Sequence, residues 1–198
     1  MKTDWVSGSF SDILGHLKLQ EWVIRNNGFA DESIRLAKDE SRGVHIQVEP
    51  DCLHGVPRNT CIIKTPIALT MSYFNAIEYC PSIGGKSPFS SRGLTLPRPF
   101  IDVVGPEETT TFFLMGQKLK GPEGFWYPYI RTLPRADDIT ALLYYEQEDL
   151  TWLNGTSLYP AREQRIQHWR SNYESDMEVL KKSGMEGIDD YSWLVLVV

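Results

Sequence analysis

The chain predicts an α+β fold in which a small β unit near the start is followed by a large helical block. Two observations give the β unit: apolar and polar residues alternate over 44–48, and a second β-rich run covers 61–66. The third is the helical spacing of apolar residues through most of the chain beyond residue 110. Strands followed by helices, with no internal repeat, point to an α+β arrangement or to a β unit carrying a helical insertion.

The elements follow in order. Over 10–26 the residues Ile13, Leu14, Leu17, Leu19, Trp22 and Val23 recur at helical spacing, and Asn27-Gly28 supplies the left-handed residue that ends a helix. Val44-His45-Ile46-Gln47-Val48 alternates as a half-buried strand does, and Glu49-Pro50-Asp51 stops it. A loop holding Gly55 and Pro57 leads to Cys61-Ile62-Ile63-Lys64-Thr65-Pro66, the second strand. Ser72 is placed to cap a short helix over 72–79. From 80 to 106 the composition turns to Pro, Ser and Gly, which predicts a long loop or a partly disordered insertion. Helices are predicted over 110–119, 146–153 and 161–182. In the last, Ile166, Trp169, Tyr173, Met177 and Leu180 predict one continuous buried stripe.

Bulk properties exclude several classes. With 198 residues and 41% hydrophobic content the chain is long enough for a sizeable core. A net charge of -6 argues against a surface built to neutralise phosphates or anionic lipid, so no direct nucleic-acid partner and no membrane is expected. The first ten residues lack the apolar run of a signal peptide, and the longest apolar stretch, 193–198, is far short of the roughly 20 residues that span a bilayer. Cys52, Cys61 and Cys80 show no CxxC spacing, which argues against a disulfide framework or a zinc cluster. The expected location is intracellular, in cytoplasm or nucleus. Asn154-Gly155-Thr156 reads as a turn rather than a glycosylation site.

Short catalytic motifs are missing. Gly84-Gly85-Lys86-Ser87 resembles the end of a phosphate-binding loop, but Cys80 stands where that loop needs its first glycine. His16, His45, His54 and His168 have no metal-ligand spacing, so no metal is expected. There is no GxSxG elbow.

The informative signal is a series of phrases. Leu19-Gln20-Glu21-Trp22-Val23 is followed by Glu40-Ser41-Arg42-Gly43-Val44, then by Asn59-Thr60 leading into the second strand. Much later come Phe125-Trp126-Tyr127-Pro128-Tyr129-Ile130-Arg131-Thr132-Leu133-Pro134 and Leu150-Thr151-Trp152-Leu153-Asn154-Gly155-Thr156. Together, over roughly 19–195, these resemble the amino-terminal part of the SET-domain protein-lysine methyltransferases similar to the Rubisco large-subunit methyltransferase.

That resemblance implies a partial SET β-fold with a large helical insertion. Its parts would be an amino-terminal helix in 1–36, amino-terminal SET strands in 37–79, an irregular Pro/Gly-rich loop in 80–109 and the insertion in 110–198. The implied activity is methyl transfer from S-adenosyl-L-methionine to a lysine of a protein substrate. Glu40, Arg42 and Gly43 correspond to the family's E-G-x-G-x cofactor turn, with Ser41 in place of the first glycine. Read without the resemblance, that turn is an ordinary lead into a strand and Arg42 a solvated charge. Phe125, Trp126 and Tyr129 fall where the family shapes its substrate groove, although aromatic residues so spaced also serve simply to pack helices. The family's Asn-His pair and its catalytic tyrosine come from the carboxyl-terminal half of the SET fold, and no Asn-His dipeptide follows residue 140. The expectation is therefore that the catalytic tyrosine lies beyond the chain end, leaving a truncated enzyme weakly active or inactive alone. A non-catalytic protein-interaction module derived from such an enzyme is the alternative. The apolar run 193–198 is a predicted aggregation liability.

Overall fold

The computed structural model describes residues 10–77, 79–80, 85–86, 96–134, 138–139 and 141–185. The 193–198 run, and parts of the Gly84 to Ser87 phrase and of the Pro/Gly-rich segment, lie outside the described residues. The chain divides into two compact units. One comprises the residues up to Met71 together with Phe125–Leu133, and the other comprises Ser72–Gly124 and the residues from Pro134 onward. The aromatic phrase thus belongs with the strands, a division that cuts across the 110–198 block.

The first unit opens with helix α1, Phe10–Arg25. Asn27 takes the left-handed conformation (φ 67) that ends it, and the Gly28 amide donates to the Val23 carbonyl at 2.8 Å. Gly28 is required by this close return, because a Cβ there would lie 2.7 Å from the Val23 carbonyl oxygen. Strand β1, Phe29–Ala30, pairs antiparallel with β4, Ile63–Lys64. Between them β2, Ile34–Asp39, and β3, Gly43–Val48, form an antiparallel hairpin whose register runs from Ile34↔Val48 to Asp39↔Gly43. Strand β2 was not anticipated. The second predicted strand shortens to Ile63–Lys64, the two residues that its two-residue partner β1 can pair.

The pleat sends Ile34, Leu36, Val44, Ile46 and Val48 to one face of the hairpin and Arg35, Asp39, His45 and Gln47 to the other. Helix α1 packs on β2 and β3, and also on α5, Tyr127–Ile130. Trp126 is 1% exposed, and its indole Nε1 donates to the Leu69 carbonyl at 3.0 Å. Phe125 stands edge-on to Trp126 at 4.9 Å between ring centres and meets Trp22 of α1 at 5.1 Å.

The second unit is mainly helical. It contains α2, Tyr73–Ala76, a small ladder of β5, Tyr79–Cys80, with β6, Gly85–Lys86, and then α3, Arg98–Ile101. The predicted 80–106 loop is therefore partly structured, and Leu96 and Phe100 are buried in it. Helix α4, Pro106–Leu119, starts four residues before the predicted 110. Pro106 suits a first helical position, where no N–H is needed, and Glu107 and Glu108 complement the helix N-terminus. Helix α6, Gln147–Leu150, runs into a single 3-10 turn, and α7 spans Leu158–Lys182. Pro160 falls in the first turn of α7, where proline is tolerated, so the helix begins before the predicted 161.

Phe100, Phe112 and Tyr173 form a chain of ring contacts between α3, α4 and α7. The predicted stripe on α7 is not continuous. Met177 and Leu180 are buried, but Trp169 is 41% exposed, with the Arg165 guanidinium 5.9 Å from its ring centre.

Candidate functional site

The β2–β3 turn is built by Asp39. Its Oδ1 accepts from the Ser41 amide at 3.1 Å, the Ser41 hydroxyl at 3.0 Å and the Arg42 amide at 2.7 Å. Its Oδ2 accepts from Arg42 Nε at 2.8 Å and Nη2 at 2.5 Å. These bonds hold the Asp39 carboxyl well below the usual carboxylate range, the Arg42 side-chain bond contributing most. Gly43 follows with φ +63 and nothing within 4 Å of where a Cβ would sit. His45 Nδ1 lies 3.0 Å from the Gly43 carbonyl, and its buried Nε2 is 3.8 Å from Asp39 Oδ2.

The expected cofactor residues therefore share one exposed turn, but they are not equivalent. Glu40 is exposed and makes no hydrogen bond or ion pair among the described residues. The Gly43 backbone is open to close approach. Arg42 is also exposed, yet its guanidinium is committed to Asp39. Asp39 was missed in the sequence, although Asp39-Glu40-Ser41-Arg42-Gly43 is a turn signature in which the carboxylate takes the amide two residues on.

Of the three expected groove residues, Trp126 is a core residue and not part of a surface groove: at 1% exposure it has no face to offer a ligand. Phe125 is half-buried between Trp22 and Trp126. Tyr129, 36% exposed, retains an open surface. Helix α1 packs on β2 and β3, the strands that flank the turn, and also on α5, which carries Tyr129.

An apolar cavity of about 200 Å³ opens beneath α1, lined among others by Leu19, Val23, Phe29, Ile34, Leu36 and Ile46. It is smaller than the roughly 300–1,000 Å³ of ordinary ligand pockets, and none of the six expected site residues lines it. Among the described residues no group of three or more His, Cys, Asp or Glu is placed to hold a metal ion. None of the described helices is long and apolar enough to cross a membrane.

No family model matches the chain. Over 81 residues, 41% of its length, the chain is 30% identical to the ribosomal lysine N-methyltransferase set10 of Schizosaccharomyces pombe. That likeness supports a SET methyltransferase relationship. The matched stretch spans about one seventh of the relative, 14% of its length.

Proposed function

We propose that the chain is the amino-terminal portion of a SET-type protein-lysine methyltransferase that uses S-adenosyl-L-methionine to methylate a lysine of a protein substrate. The observation that carries this reading is the 81-residue likeness to a lysine methyltransferase. That relative's name makes a ribosomal protein the first substrate class to test.

The β2–β3 turn fits the cofactor in one specific respect. Gly43, at positive φ and with free space above it, lets the main chain approach a ligand as a residue with a Cβ would not. Glu40 and the Gly43 backbone are the groups that would hold the cofactor, which supplies an electrophilic methyl group when bound. What this part of the chain contributes is positioning, the main source of rate where two bound groups must meet in line. Tyr129, the expected groove residue that keeps an open surface, would contact the substrate.

The test is photo-crosslinking of tritiated S-adenosylmethionine to the 198-residue chain, followed by peptide mapping. Label is expected in the peptide containing Glu40 and Gly43, competed by excess S-adenosylhomocysteine and abolished by Gly43→Val. Absence of competable label, or label that Gly43→Val leaves in place, refutes the assignment.

A further inference from the structure

We propose that Asp39 is the positioning residue of the cofactor turn, its carboxylate tying Ser41 and Arg42 so that Glu40 and the Gly43 backbone are left ordered and free for the ligand. This inference rests on the reading of 40–44 as the S-adenosylmethionine turn; it adds Asp39 to that turn and gives Ser41 a role in it.

Ser41 stands where the resemblance expects a glycine. A serine narrows the backbone choices of the turn, and it also brings a hydroxyl that can be held. Asp39 holds it, together with the Ser41 and Arg42 amides, through Oδ1 alone. Oδ2 takes the Arg42 guanidinium through two nitrogens, so both carboxylate oxygens are engaged and the side chain is fixed. Asp39 and Gly43 are also the last registered pair of the hairpin, which places this clasp at the base of the turn, where it sets how the chain enters Gly43. Arg42 is thereby a clasp residue and not a ligand contact, while Glu40 is the one turn side chain left without a partner among the described residues.

The test is equilibrium dialysis of tritiated S-adenosylmethionine against the full chain and its D39A, D39N, R42A and D39A/R42A variants. Amide hydrogen exchange at Ser41 and Arg42 is followed in each without cofactor. Asp39→Ala is expected to weaken binding about tenfold and to speed exchange at both amides. Asp39→Asn, whose amide oxygen still accepts from them, should lose less. Asp39→Ala combined with Arg42→Ala should be no worse than Asp39→Ala alone, because both remove one clasp. Binding by the wild type that Asp39→Ala leaves unchanged overturns the positioning role and spares the cofactor assignment. Additive losses in the double variant show Arg42 touching the cofactor directly and overturn the clasp assignment. Failure of the wild type to bind overturns the cofactor reading, and the positioning role with it.

Discussion

Replacing Trp126 with phenylalanine separates a packing role from a groove role. The indole Nε1–H donates to the Leu69 carbonyl at 3.0 Å, and the side chain is 1% exposed. Phenylalanine keeps most of the apolar contact but strands that carbonyl in a dry site, a loss of about 1–3 kcal/mol. The smaller ring leaves a void costing roughly 1 kcal/mol more. The expected destabilisation of the first unit is thus about 2–4 kcal/mol, read as a fall in the urea midpoint with little change in slope. Tyr129→Phe, which alters a residue 36% exposed, should stay within about 0.5 kcal/mol of wild type in the same assay. A Trp126→Phe chain as stable as the wild type would show that the indole is not in the core, and would return Trp126 to the surface of a groove.

Two further predictions concern the helical unit. Burial and the nearby Glu108 carboxylate push Asp176 up to about 6. The folded state then binds this proton more tightly than the unfolded chain, so the contribution of this one group is fully present below about pH 4 and is lost as pH rises through about 6. Asp176→Asn should therefore raise stability at pH 7 by about 1 kcal/mol, a value discounted for the solvent screening of a partly exposed group, and should change nothing at pH 3.5. Thermal melts at both pH values check this, and a gain at the acidic value would contradict it. Gln117 is fully buried, and neither end of its amide has a hydrogen-bond partner among the described residues. Gln117→Met should gain about 1–2 kcal/mol, or some 2–8 °C in Tm, and a lower Tm would mean that the amide is satisfied after all.

The parts of this fold that were legible in the sequence are those whose signal is long or chemically distinctive. The end of α1 followed from Asn27-Gly28, and the alternation of 44–48 located β3. Strand β2 escaped because Ile34-Arg35-Leu36-Ala37-Lys38-Asp39 has only two strong apolar residues on its inner face, with Lys38 ending the pattern. It is made a strand by its partner, not by its own composition. The α7 stripe failed for the converse reason: helical spacing shows which residues share a side of the helix, but whether Trp169 is covered depends on what packs there. The candidate turn was located, while its internal logic was not. Asp39 sits one residue outside the phrase that carried the resemblance, and its role becomes visible only when its oxygens are seen on Ser41 and Arg42.

Order in the first unit is consequently a matter of local polar devices. A two-stranded ribbon is marginal by itself, and the β2–β3 hairpin is paired only with itself among the described strands. Its apolar face rests on α1, yet Ile46 and Val48 on that face stay more than 40% exposed, so burial supplies only part of what fixes it. Two polar features compensate. The Asp39 carboxylate closes the turn with charge-assisted bonds, and the Trp126–Leu69 bond anchors the segment that carries α5 against α1. A ligand that needs an accurately placed main chain is best served at the first of these. The turn there is held by five donor contacts to one carboxylate, whatever the sheet behind it does.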